Sequence, residues 1–167
     1  MGFELREWRP EDAPSITRYA DDPQVAANLR DIFPAPYHLS DAQEFIPSCM
    51  AADEGHAISR AISVNGQAVG SIALTRGTDV YRLSAELGYW LGREFWGRGI
   101  MPAAVEEMCR LGFHRWDIVR IFAEPYAHNA ASRRVLEKAG FHLEGVMARG
   151  VVKNGQLHDY CMYAKLK

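Results

Sequence analysis

The chain has 167 residues, 48% of them apolar and 24% charged, with a formal net charge of −2. That composition belongs to one globular domain, residues 1–167, with a substantial core, and the charge argues against nucleic-acid binding through a broad basic face. No apolar run approaches the length of a membrane span, and the N-terminus carries no signal-peptide core. Three scattered cysteines, Cys49, Cys109 and Cys161, read as free thiols of a reducing compartment, so a cytoplasmic location is expected.

Phe3 to Trp8 alternates apolar and charged residues and predicts an amphipathic strand. Arg9-Pro10-Glu11-Asp12 ends it and opens a helix through about Tyr19, with acidic residues in the first turn. Asp21-Asp22-Pro23 breaks that helix and starts a short second one to about Leu29. Arg30 to Leu39, with Pro34 and Pro36, is a loop; Ser40 then has the spacing of a capping box and predicts a helix to about Ala52. His56–Val64 and Gln67–Thr75 are strand-like runs about Asn65-Gly66, a strong hairpin signal.

Ala85 to Glu107 is the stretch around which the chain is organised. An aromatic-rich strand carrying Glu86 leads into a turn with Gly97 and Gly99, and a helix follows with Pro102 in its first turn. Small residues let backbone approach a ligand, and the free N–H groups and dipole at the helix start favour a phosphate. Arg93 and Arg98 could add charge. Ile100-Met101 after Gly99 rules out a P-loop, and Pro102 rules out a dinucleotide fingerprint. By itself the turn is equally consistent with a tight connection that binds nothing.

The helix from Gly99 to His114 places Ala104, Val105, Met108, Leu111 and Arg115 on its sheet-facing side and Glu106, Glu107 and Arg110 in water. Ile118–Ala123 predicts an interior strand. Asn129 caps a helix over Ala130–Ala139 that Gly140 closes, and a final hairpin, Phe141–Val152 with Leu157–Lys165, turns at Asn154-Gly155. The order β, α, α(α), β, β, β, α, β, α, β, β implies an α/β domain with a mixed sheet and helices on both faces.

Two segments go beyond generic pattern. Gly88-Tyr89-Trp90-Leu91 followed by Glu94-x-Trp96-Gly97-Arg98-Gly99-Ile100 resembles the acetyl-coenzyme A loop of GNAT acetyltransferases. The run Asn129-Ala-Ala-Ser132-Arg-Arg134-Val-Leu136-Glu-Lys-Ala-Gly140-Phe141 resembles a second signature of that superfamily, in its RimJ/RimL branch. The resemblance spans nearly the whole chain. It implies a mixed, mostly antiparallel sheet of about six to seven strands with a central splayed βαβ unit, and an N-acetyltransferase that uses acetyl-CoA. It implies a primary amine as acceptor, on a protein N-terminus or a small molecule, and a monomer or homodimer.

Carried over by the resemblance, the peptide groups near Tyr89, Trp90 and Leu91 hold the pantetheine arm like an added strand, and one N–H stabilises the oxyanion. Arg98, Gly99 and Ile100 receive the pyrophosphate, with Gly97 giving close approach and Arg93 and Arg134 as nearby cations; Asn129 and Ser132 lie near the thiol end. The chain departs from the pattern at Glu94, where relatives carry Gln or Arg, and at Leu136, where many carry the Tyr that protonates the departing thiolate. Ser132 is then the remaining candidate acid.

Alkyl amines are protonated near neutral pH, so a carboxylate within one water of the amine is needed. Glu86, on the central strand, is the candidate base; the alternative is a structural ion pair. Glu124 is the second choice. Tyr126, His128 and Asp159 are candidate acceptor contacts, each equally readable as a loop or cross-strand residue, and Tyr89 and Trp90 also fit plain sheet packing. The six histidines show no paired metal-ligand spacing, so no metal is expected. Two other readings stay open: a GNAT fold that binds coenzyme A without turnover, and an unrelated nucleotide-binding α/β protein.

Overall fold

The computed structural model describes residues 2–167. One seven-stranded sheet runs in the order β1-β2-β3-β4-β5-β7-β6. The strands are β1 (Glu4–Arg6), β2 (Ala57–Val64), β3 (Gln67–Arg76), β4 (Ser84–Leu91), β5 (Arg120–Ala123), β6 (His142–Lys153) and β7 (Gln156–Leu166). The helices are α1 (Ala13–Ala20), α2 (Pro23–Ala26), α3 (Leu39–Met50), α4 (Ile100–Arg115) and α5 (Ala130–Lys138). Every neighbouring pair is antiparallel except β4 and β5.

Local chemistry accounts for the hairpins. Asn65 (φ 51°) with Gly66 (φ 82°), and Asn154 (φ 52°) with Gly155 (φ 75°), both take the two left-handed positions that a two-residue turn with right-handed strand twist requires. Helices cover both faces. On one, Ile100, Ala104, Val105 and Met108 of α4 and Leu136 of α5 pack on Ile58, Ile62, Ile72 and Leu74. On the other, Ile16 and Ala20 of α1 and Ala42 and Ile46 of α3 close over Ala61 and Ala68, whose small side chains let the helices come near. Each fully buried Ile in these layers contributes about 1.5–3 kcal/mol through loss of apolar surface.

Some boundaries differ from the sequence expectation. The first strand pairs only over Glu4–Arg6, because Arg6 turns inward onto buried Asp12 at 2.7 Å. The third helix starts at Leu39, not after Ser40: the Asp41 carboxylate accepts the His38 N–H at 2.7 Å and sets the cap two residues earlier. Arg115 does not face the sheet. It is exposed and reaches Glu54, which also binds Arg60, and Gly112 takes its place against Leu74. The last helix ends at Lys138, where Phe141 N–H bonds to Leu136 C=O at 2.9 Å and Gly140 takes φ 90°.

The feature that makes room for a ligand is in the sheet. β4 pairs with β5 only over Ser84–Glu86. Beyond Glu86 it continues to Leu91 beside β3 alone. The short β5 turns away after Ala123, so the backbone edge of Leu87–Leu91 opens onto a wedge.

Candidate active site

A groove of about 1510 Å³ runs through that wedge. Pockets of roughly 300–1,000 Å³ hold one drug-sized ligand, so this one accommodates two reactants end to end. Glu86, Tyr89, Trp90, Leu91, Gly97, Gly99, Ile100, Tyr126, Asn129, Ser132 and Arg134 all line it, as does Glu124.

At one end the groove meets the start of α4. Gly97 (φ 72°) and Gly99 (φ 77°) are left-handed, and Gly99 is the N-cap of the helix. A Cβ at either position would meet no atom within 4 Å, so both glycines face open space from a backbone that L side chains rarely adopt. The N–H groups at the start of this 16-residue helix have no partner inside it. Trp96 holds the turn, its Nε1 donating to Leu91 C=O at 2.8 Å. Peptide donors, left-handed glycines and a helix dipole together form a cradle that fits a pyrophosphate, and the open strand edge beside it fits a pantetheine arm.

The two arginines of the turn are placed differently. Arg93 pairs with Asp22 at 2.9 Å, and Arg98 lies over the Phe95 ring at 5.6 Å. Neither lines the groove, whereas Arg134 and Lys138 of α5 do. Glu94 faces Arg18 at 3.5 Å.

In the middle, β4 and α5 meet. Asn129 caps α5, its Oδ1 accepting the Ser132 N–H at 3.2 Å. The Ser132 Oγ lies 2.6 Å from the Tyr89 hydroxyl. Burial pushes the Tyr89 phenol up to about 12, the Ser132 hydrogen bond acting against it. Leu136, one turn along α5, is fully buried in the core. Trp90 meets Phe33 edge-on at 5.7 Å, and Phe33 lies 5.3 Å from Tyr37, which gives the opposite wall an aromatic face.

At the other end three elements bring one cation to two carboxylates. The Arg30 guanidinium is 2.6 Å from Glu86 and 3.5 Å from Glu124. Glu86 ends the paired part of β4 and Glu124 directly follows β5, so parallel pairing sets the two side by side. Their side chains are 30% and 27% exposed, against 63% for Arg30, so the carboxylates belong to the groove wall and the arginine lies over them from solvent. Burial raises the Glu124 carboxyl, the Glu86 charge raises it further and Arg30 partly offsets both.

The remaining candidates stand near this end. The Tyr126 hydroxyl donates to Leu29 C=O at 3.0 Å and so ties the strand end to the segment before Arg30. His128 stacks on Tyr126 at 5.8 Å and lies 4.8 Å from His158. Asp159 accepts the Arg149 N–H at 2.8 Å, where Arg149 (φ 55°) bulges β6. His128 and Asp159 do not line the groove.

Sequence reasoning overlooked Arg30 as a site residue and the contact between Tyr89 and Ser132. Two acidic residues at adjacent strand ends demand a cation, and that signal was present. Its source was not readable, because Arg30 is separated from Glu86 by 56 positions and sits in a loop without periodicity.

The comparisons with known proteins agree with this geometry. Residues 3–142 match the model of the acetyltransferase (GNAT) domain. A putative ribosomal N-acetyltransferase, YdaF of Bacillus subtilis, is 34% identical over 110 residues, 66% of this chain and 60% of the relative. The chain thus spans less than two thirds of that relative's length. An uncharacterised N-acetyltransferase, p20 of Bacillus licheniformis, is 27% identical over 98% of this chain and 92% of its own. Among solved structures, Mycobacterium smegmatis RimJ in complex with a CoA disulfide superimposes with a TM-score of 0.87 at 25% identity, over 98% of this chain and 81% of that one. With the splayed strand, the glycine cradle and the family match in agreement, this chain belongs to the GNAT acetyltransferase family.

Proposed function

We propose that the chain is an acetyl-CoA-dependent N-acetyltransferase acting on a primary amine, by direct attack in a ternary complex. The observation that carries this reading is the continuity of one groove from the Gly97–Gly99 cradle, along the open edge of β4, to the carboxylates at Glu86 and Glu124. Acetyl-CoA, when bound, supplies the activated acetyl group. The N–H groups of Arg98, Gly99 and Ile100 hold its pyrophosphate, with Arg134 as a nearby cation. The peptide edge of Tyr89–Leu91 aligns the arm and offers an N–H to the carbonyl oxygen as negative charge develops there.

Glu86, with Glu124 beside it, takes the proton of the incoming ammonium, directly or through one water. Arg30 balances the charge of the pair before the amine arrives. Ser132 faces the leaving sulfur. Tyr126 walls the acceptor end, and His128 and Asp159 lie behind it. No covalent enzyme intermediate is required: holding two reactants in register is itself worth several kcal/mol, on the order of 7–11 for ideal geometry.

The acceptor class is a protein N-terminus or a small amine; the name of YdaF, a putative ribosomal N-acetyltransferase, points to a ribosomal acceptor. We place the reaction in the cytoplasm because all three cysteines are free, with the chain acting as one domain in a monomer or homodimer. No helix among the described residues is long and apolar enough to cross a membrane. The test is thermal unfolding with acetyl-CoA, with ATP and NAD as controls, followed by thiol release across a panel of amines. Ligand at about 100 times its dissociation constant adds on the order of 2.7 kcal/mol. A selective rise with acetyl-CoA and amine-dependent thiol release support the proposal. A rise without turnover for any amine favours a coenzyme A-binding module, a reading to which Leu136, where many GNAT enzymes carry a proton-donating Tyr, gives weight.

A further inference from the structure

We propose that Tyr89 is a positioning residue: its phenol aims the Ser132 hydroxyl at the sulfur of the departing thiolate. The inference rests on the acetyl-transfer reading and extends it to a residue with no role there beyond its peptide group.

The geometry is specific. Tyr89 stands three residues beyond Glu86, where β4 has left β5, and Ser132 occupies the first turn of α5 with its backbone fixed by Asn129. Their hydroxyls are 2.6 Å apart, and the Tyr89 oxygen lies 3.4 Å from the Ser132 carbonyl as well. A phenol has one hydrogen. At a value pushed up to about 12, Tyr89 stays neutral at working pH and keeps that hydrogen to donate. Once Ser132 Oγ accepts it, the hydrogen of Ser132 cannot lie on the same line and is turned toward the groove that both residues line. Without the phenol, Ser132 rotates freely among its staggered positions.

The chemistry needs this direction. The amine nitrogen forms its bond to the acetyl carbon, the carbon–sulfur bond breaks with its electron pair on sulfur, and the nitrogen's proton goes to the carboxylate pair. Sulfur leaves as thiolate. A phenol held at about 12 is a poor proton source for an alkyl thiolate, whose conjugate thiol is the stronger acid. Tyr89 therefore orients the donor, the Ser132 hydrogen bond carries the thiolate charge, and water protonates the released thiolate. Leu136, at the α5 position where many GNAT enzymes carry a Tyr, offers no hydroxyl to the groove it lines, so β4 supplies the phenol from across the groove.

The test is equilibrium binding of coenzyme A and of desulfo-coenzyme A, from pH 6 to 10, to wild type, Tyr89→Phe, Ser132→Ala and the double variant. Wild type is expected to tighten about tenfold for coenzyme A relative to the desulfo compound as the thiol ionises, the worth of one charge-assisted hydrogen bond. In Tyr89→Phe that relative tightening falls below about twofold, and the double variant matches Ser132→Ala. Glu86, Glu124, Arg30, Arg134, Lys138 and Tyr160 line the same groove, and the desulfo compound reports their effect on binding apart from the thiol. In turnover, Tyr89→Phe lowers kcat about tenfold with acetyl-CoA, and the defect shrinks with a thioester of a more acidic thiol. Wild-type tightening retained in Tyr89→Phe overturns the role of Tyr89. Failure of both ligands to bind wild type overturns the acetyl-transfer reading and the inference with it.

Discussion

The two ends of the groove are built from different materials. The end at the glycine cradle is made of backbone: two left-handed glycines, the N–H groups at one helix start and a strand edge that β5 leaves uncovered, all within Leu87–Ile100. The opposite end is made of side chains, with Arg30, Glu86 and Glu124 converging from a loop, a strand and a strand end. A backbone site is local and tolerates side-chain variation so long as the glycines stay. A side-chain site is assembled over long sequence distances and depends on every charge in it. The first end suits a cofactor shared across a family, and the second suits a substrate that differs between members.

Substitutions at each end separate binding from chemistry, and the largest effect belongs to the backbone end. Gly99→Glu forces a side chain into φ 77° and puts a negative charge at the helix N-terminus, so coenzyme A affinity falls at least about a hundredfold by calorimetry while the fold persists. Glu86→Gln leaves that affinity within about twofold and lowers kcat near neutral pH by roughly 10²-fold or more, as expected for loss of a positioned base. Wild-type turnover in Glu86→Gln would move the base to Glu124.

Arg30→Gln has a smaller and directional effect. Arg30 lowers the Glu124 carboxyl against burial and the Glu86 charge. Without it Glu124 protonates at higher pH, so the acid limb of the kcat/KM profile moves to higher pH, with little change at alkaline pH. An unmoved limb would make Arg30 a passive surface partner.

The smallest effect tests a region outside the groove. Burial works to raise the Asp12 carboxyl, but the Arg6 hydrogen bond, the Arg9 N–H and both arginine charges outweigh it and hold Asp12 below its ordinary 3.8. A carboxyl lowered in the folded state stabilises fully above its unfolded value and loses that contribution as pH falls through the folded one. The melting temperature of the ligand-free protein is therefore expected to drop by a few degrees below about pH 4 in wild type, and less in an Arg6→Met/Asp12→Leu variant, with acetyl-CoA affinity unchanged in both.

The same division between backbone and side chains explains what the sequence disclosed. Asn65-Gly66, Asn154-Gly155, Gly97-x-Gly99 and the Asn129 cap are local devices, and each is where its residues implied. The opening of the sheet at Glu86 was expected from family resemblance alone, because nothing in the run Ala85–Leu91 announces where β5 stops pairing. Arg115 followed the helical period but not the core, since its charge found Glu54 across the chain and Gly112 already filled the approach to Leu74. The Arg30 cluster and the Tyr89–Ser132 contact join segments 56 and 43 residues apart, and no periodicity encodes such a meeting.

Acetyl transfer in this molecule depends on one groove joining the proposed phosphate cradle to the carboxylates at Glu86 and Glu124. The most direct measurement is amine-dependent release of thiol from acetyl-CoA by wild type, Gly99→Glu and Glu86→Gln side by side. Turnover is expected in wild type, none in Gly99→Glu for want of binding, and slow turnover with normal binding in Glu86→Gln. Coenzyme A binding that survives Gly99→Glu, or wild type that binds acetyl-CoA and turns over no amine, would contradict it.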